Sequence, residues 1–177
     1  MIRDALISAD GLYRYTLTRQ WDEKSPWCVF VMLNPSTADA EVDDPTIRRC
    51  VDFGKLWDCG GIKVVNLFAF RATDPYAIVG AADPVGPDND RVIGELLGTL
   101  TYRHIVVAWG ATNSALPVMK SRVKSFWNLH FGNDGYAAGI RATRKEFVKC
   151  LGVTQSGNPR HPLYVRRSAP LVPWGAM

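Results

Sequence analysis

The chain has 177 residues, 47% hydrophobic and 21% charged, which fits one domain over residues 1–177 and excludes a disordered or fibrous protein. No apolar run approaches the ~18 residues of a membrane span, and the N-terminal MIRDALISADGLYRY lacks the apolar region of a signal peptide. The net charge of +4 is uneven: residues 1–116 hold 11 Lys/Arg against 15 Asp/Glu, residues 117–177 hold 10 against 2. That C-terminal surplus points to an anionic partner, nucleic acid first, or to a solvated basic face. Cys28, Cys50, Cys59 and Cys150 form no CxxC pair and read as reduced, mostly buried thiols of a cytoplasmic protein.

YRYTLTR at 13–19 alternates like an edge or hairpin strand. WCVFVML at 27–33 is an unbroken apolar run, the pattern of a strand buried on both faces, and Asn34-Pro35-Ser36-Thr37 stops it. Asp44 then offers an N-cap and Pro45 a first-turn residue. Ile47, Cys50, Val51 and Phe53 keep helical spacing until Cys59-Gly60-Gly61. IKVVNLFAF at 62–70 reads as a second buried strand, and 71–90, rich in Pro, Gly, Asp and Asn, as mostly loop. Asp88-Asn89-Asp90 caps a helix from about 91 to 101, and HIVVAWG at 104–110 gives a third buried strand. A helix is expected over 115–130, with Pro117 in its first turn and Lys120, Arg122 and Lys124 on a basic face. FGNDG at 131–135 reads as a turn, and 141–151 as a short helix or strand. The tail from Asn158 reads as loop around one short strand, LYV at 163–165.

Strand, helix, strand, helix, strand predicts an α/β fold, a three-layer sandwich around a central, mostly parallel sheet. Open sheets of this type bind ligands at the carboxyl ends of their strands. Those ends carry Asn34, then Asn66 with the Arg71-Ala72-Thr73-Asp74 loop, then Trp109-Gly110. Asn34, the 39–48 segment and His161 are therefore expected to line one cleft.

Asn34 can aim a carboxamide into that cleft, with Pro35 fixing the backbone behind it. A carboxamide does not titrate at neutral pH, so it would orient a water or a ligand by hydrogen bonds. The same residues also fit a plain Asn-Pro turn in which Ser36 or Thr37 caps the next turn. Asp39, Glu41, Asp43 and Asp44 offer a general base or Mg²⁺ ligands, or a solvated loop with Asp44 as the cap. No His or Cys joins them at metal-ligand spacing, and neither a metal nor a cofactor is expected. Arg48 or Arg49 could turn toward a phosphate while the other faces away.

His161, between Pro159 and Pro162 in a basic loop, suits proton transfer or hydrogen bonding to an oxyanion, although a plain surface histidine also fits there. Trp109 could stack on a base or sit in the core, and His104 and His130 read as structural. GxGxxG, GxxxxGK[ST] and GxSxG motifs are absent, so dinucleotide, P-loop and α/β-hydrolase readings find no support.

The strings VMLNPSTADAEVDDPTIRRC, VVNLFAFRATDP, DPVGPDND, VVAWG and LGVTQSGNPRHPLYV lie within residues 12–175. Together they resemble the bacterial and phage family called domain of unknown function 1643, a name that implies no activity. The order of motifs is also similar, more distantly, to the uracil-DNA glycosylase superfamily. Leu33-Asn34-Pro35-Ser36 matches its Gly-Ile-Asn-Pro-Gly type motif, with Met32-Leu33 where a Gly-Ile or Gly-Leu pair is usual. Val65-Asn66-Leu67 matches its Thr-Asn-Leu type strand, Val106 to Gly110 its later strand, and His161-Pro162 its late His-Pro motif. The resemblance implies a uracil-DNA glycosylase-like fold and an Asn34 that positions the attacking water. It also implies a 158–164 loop that inserts into DNA or stabilises the leaving base.

The chain is thus expected to be an enzyme on nucleic acid or nucleotides, most concretely a hydrolase that excises a base, with no membrane partner. Asn34 would orient water, Asp39, Asp43 or Asp44 would supply a base, and His161 would stabilise the departing nucleobase. Pro35, Ser36, Thr37, Arg48, Asn66, Arg71, Trp109 and Gly110 would contact the ligand. Lys120, Arg122, Lys124, Arg160, Arg166 and Arg167 would meet phosphates without reading sequence. The alternative is a non-catalytic nucleotide or nucleic-acid binding module, or a small-metabolite enzyme whose basic third only solubilises it.

Overall fold

The structure, a computed structural model, describes residues 1–99, 101–111, 118–132 and 148–174. The chain opens with a hairpin of β1 (Ile2–Ile7) and β2 (Arg14–Gln20), then β3 (Trp27–Met32), α1 (Pro45–Leu56) and β4 (Gly61–Asn66). A single turn, α2 (Ala77–Gly80), precedes α3 (Asn89–Thr99), β5 (Tyr102–Val107), α4 (Val118–Phe131), β6 (Val148–Cys150) and β7 (Val172–Pro173). The strands form one seven-stranded sheet in the order β1-β2-β4-β3-β5-β6-β7.

The centre of the sheet is parallel: β3 pairs with β4 and β5, and β5 with β6. Its flanks are antiparallel, with β1 on β2 and β2 on β4 at one side and β7 on β6 at the other. The expectation of a mostly parallel sheet is corrected. The sheet is mixed, because a hairpin and a short closing strand extend the crossover-connected centre.

Side chains alternate across the central strands and feed two cores. Val29, Val31, Val65, Ile105 and Val107 pack with Ile93, Leu96, Met119 and Phe126 of α3 and α4. Cys28, Phe30, Ile62, Val64 and Val106 pack with Ile47, Cys50 and Phe53 of α1. Helices therefore cover both faces, and each fully buried Val, Leu, Ile or Phe contributes roughly 1.5–3 kcal/mol. Asp44 caps α1 as the sequence predicts, its Oδ1 accepting the Ile47 amide at 2.8 Å, with Pro45 in the first turn. All four cysteines are buried and free.

The 13–19 segment is the hairpin strand that its alternation allows rather than an edge, because β1 pairs along its outer side. β1 carries no strand signal in the sequence, because IRDALI is mostly exposed and shows no apolar alternation. One further expectation is corrected: the segment 163–165 is not a strand, since Pro162–Tyr164 forms a 3₁₀ turn, where Pro162 suits a first turn and His161 Nδ1 accepts the Leu163 amide. The expectations for Pro117, for FGNDG beyond Gly132 and for 141–147 lie outside the described residues. Among the described residues, no helix is long and apolar enough to cross a membrane.

Candidate functional site

A cavity of about 830 Å³ opens at the carboxyl ends of β3, β4 and β5, within the roughly 300–1,000 Å³ usual for small-molecule sites. Met32, Leu33 and Asn34 carry β3 into its wall, Asn66 ends β4 there, and Trp109 and Gly110 follow β5. The start of α1 adds Asp44, Thr46 and Ile47, and the late loop adds Thr154, Gln155, Arg160 and His161.

The loops after β3 and β4 are zipped together. Leu67 and Phe68 amides donate to the Met32 and Leu33 carbonyls at 2.8 and 3.0 Å, and the Ala72 amide donates to the Pro35 carbonyl at 2.9 Å. Asn34 Nδ2 donates to the Ala72 carbonyl at 2.7 Å and the Pro35 carbonyl at 3.2 Å. With Nδ2 held, Oδ1 has no hydrogen bond from the described residues and is the atom left for a water or a ligand donor.

Asn66 is 1% exposed, and its Nδ2 is buried without a partner among the described residues. Trp109 Nε1 is also buried with no partner among the described residues, while its ring stands edge-on to Trp174 at 5.6 Å. Leaving such a donor unpaired costs about 1–3 kcal/mol. The segment at the end of β4 is nonetheless held firmly. Asn89 Nδ2 donates to the Asn66 carbonyl at 3.0 Å, and Arg122 Nε donates to the Leu67 carbonyl at 2.6 Å.

His161 is fixed from two sides. Gly110 sits at φ +84°, and a Cβ there would lie 3.1 Å from His161 Cβ, so glycine serves both the backbone turn and the close approach. The Gly110 amide donates to the Pro159 carbonyl at 3.0 Å. From α1, Arg49 Nη2 donates to the Val165 carbonyl at 2.7 Å, and its guanidinium lies 4.9 Å over the Phe53 ring. His161 Nδ1 accepts the Leu163 amide at 3.2 Å, which leaves the proton on Nε2. Burial lowers the pKa of His161 against the opposing pull of Asp44, so the ring is a neutral donor at neutral pH.

The acidic segment divides. Asp44 lines the cavity. Asp43 does not: its carboxylate pairs with Arg19 at 2.7 Å and Arg3 at 3.6 Å. Asp39 turns back to accept the Glu41 and Val42 amides, bonds that hold its carboxyl below the usual range. Among the described residues, no three His, Cys, Asp or Glu side chains gather in a way that could hold a metal. Pro35, Thr37, Arg48 and Arg71 are not part of the cavity wall, whereas Ser36 is.

Arg14 is a cavity residue that sequence reasoning missed. The pairing of β1 with β2 shifts between Leu6 and Ile7, so Tyr15 is an extra residue. Such a bulge re-aims side chains. Arg14 and Arg19, of opposite parity, consequently both reach the same loop, donating to the Ala38 and Asp39 carbonyls. Alternation in YRYTLTR alone could not show this.

The basic residues are dispersed. Arg160 lines the cavity, and Arg166 and Arg167 are exposed just past the 3₁₀ turn. Lys120 and Lys124 line a second cavity of about 590 Å³ that shares Trp109 with the first. Arg122 does not join them on a basic face, which corrects that expectation. It is 6% exposed and forks onto Asp90 at 2.6 and 3.0 Å. Burial pushes the Asp90 carboxyl up, but His130 and Arg122 outweigh it and hold the pKa down at about 2.

No curated protein and no solved structure matches the chain. A family profile described as "Protein of unknown function (DUF1643)" matches residues 14–163, a span that runs from the buried Arg14 to the turn carrying His161. The chain belongs to that family.

Proposed function

We propose that the cavity takes one nucleotide unit, free or flipped out of a nucleic-acid strand, and hydrolyses its N-glycosidic bond. The observation that carries this reading is the meeting of Asn34, Asn66 and His161 at one cavity, each with one side-chain atom, Oδ1, Nδ2 and Nε2, that has no partner among the described residues. The likeness of their motifs to the uracil-DNA glycosylase superfamily supports it.

In this mechanism Asn34 Oδ1 accepts a hydrogen bond from a water and turns the oxygen lone pair toward C1′. The water forms a bond to C1′ as the C1′–N bond breaks, and the bonding pair leaves with the base. Asp44, the carboxylate at the cavity, takes the water proton. His161, neutral and donating through Nε2, stabilises the charge on the departing base, which then takes up a proton. Asn66 Nδ2 donates to a base carbonyl. Arg160, Arg166 and Arg167 meet neighbouring phosphates.

The test is release of free base from nucleotides and from single-stranded and duplex oligonucleotides, each carrying a panel of bases. Release by the native chain and a loss of about 10²–10³-fold in Asn34→Ala support the mechanism. A binding-only module is the second reading, favoured by the commitment of Asp44 Oδ1 to the helix cap. Tight nucleotide binding with no release from any substrate establishes it instead. Salt dependence separates the two sources of ligand, since a strand held by phosphates loses affinity steeply with salt.

A further inference from the structure

Arg14 is 3% exposed, yet no carboxylate among the described residues forms an ion pair with it. Its Nη1 donates to the Ala38 carbonyl and its Nε is buried with no partner. A buried charge of this kind is costly unless an opposite charge answers it. Arg71, partly buried on the loop after β4, shares part of this pattern: Nη1 donates to the Gly11 carbonyl at 3.2 Å, and among the described residues its buried Nε has no partner and its guanidinium no ion pair. Two arginines with unused donors thus stand near one wall of a cavity. Burial pushes Arg14 down to about 10, with Asp44 opposing and the Arg71 charge adding to the fall.

We infer that Arg14, backed by Arg71, anchors an anionic group of the ligand inside the cavity, and that this group is the phosphate of the nucleotide unit. The guanidinium fork suits a phosphate because it offers two parallel donors to two oxygens. Asp44 lies in the same cavity, but its Oδ1 is turned to the Ile47 amide, which reduces its repulsion of an incoming anion. The inference rests on the nucleotide reading for the rest of the ligand, although the anion site itself does not require any base to be released.

The experiment is thermal denaturation of the full chain with inorganic phosphate, with nucleoside 5′-monophosphates and with the matching nucleosides, all at constant ionic strength. Phosphate should raise Tm where sodium chloride does not, and the monophosphates should bind about tenfold more tightly than the nucleosides. Arg14→Gln should bring that ratio close to one, and Arg71→Gln should reduce it in part. If Arg14→Gln does not fold, Arg14→Lys replaces it, keeping the charge without the fork and lowering the ratio. Equal binding of nucleosides and monophosphates by the native chain overturns the inference, even if base release is observed. Phosphate-dependent binding without base release leaves the anion site standing and removes the glycosidic mechanism alone.

Discussion

Arg14 and Arg19 lie on the same strand, both buried, and both bonded to the 38–44 loop, but they differ in what answers their charge. Arg19 is complete: Nε pairs with Asp43, Nη1 with the Thr18 carbonyl and Nη2 with the Asp39 carbonyl, each at 2.7 Å. Arg14 has one carbonyl and an idle Nε. A fully bonded buried arginine is a device of the fold, and here it draws Asp43 out of the cavity. An incompletely bonded one leaves a conflict that folding alone does not resolve, and such conflicts cluster at functional sites. The Arg122–Asp90 pair, on the other face of the sheet, behaves like Arg19.

The largest expected effect tests the complete member. Arg19→Met strands Asp43 beside an apolar side chain and should lower unfolding stability by about 3–5 kcal/mol, read by urea denaturation. A loss below about 1 kcal/mol would show that the two arginines do not differ in kind. Next comes Asn34→Ala, which removes the group holding the water. Base release should fall about 10²–10³-fold while nucleoside monophosphate affinity changes by less than about threefold. An equal loss in binding would make Asn34 a binding residue.

A third, smaller effect belongs to Asp90. Its carboxyl is held at about 2, below the ordinary 3.8, so its charged form stabilises the fold. That contribution is full above pH 3.8 and is lost as pH falls through 2. After screening at a group about a third exposed, it should amount to about 1–2 kcal/mol. Asp90→Asn should abolish this acid-side loss, measured as stability against pH between 5 and 2. Smallest of all, Arg14→Met should change the stability of the ligand-free protein by less than about 1 kcal/mol, because the hydrogen bond lost is offset by the relief of burying a charge. A cost equal to that of Arg19→Met would make Arg14 structural.

The legible part of the fold was the part buried on both faces, where apolar residues run together. β3 is an unbroken apolar run and β4 and β5 carry the apolar stretches Val64–Val65 and Ile105–Val107, and the residues that follow, Asn34, Asn66 and Trp109-Gly110, lie at the cavity because strand direction places them there. β1 was illegible because its side chains are mostly exposed and its place depends on hydrogen bonds to β2. Arg14 was hidden by a register shift that no local pattern announces. Arg122 was misread by its charge, although its spacing sets it with Met119 and Phe126 on the buried face of α4, a signal that was available. Asp43 could not be separated from Asp44 in sequence, since only the partner Arg19 distinguishes them.

The most direct test is a crystal structure of the protein soaked with a nucleoside 5′-monophosphate. The account predicts one ligand in the cavity, a phosphate oxygen on the Arg14 guanidinium, a base carbonyl on Asn66 Nδ2, and Asn34 Oδ1 facing C1′ across a single water. A cavity left empty at saturating ligand, or a ligand held only by Arg166 and Arg167 on the surface, would contradict it.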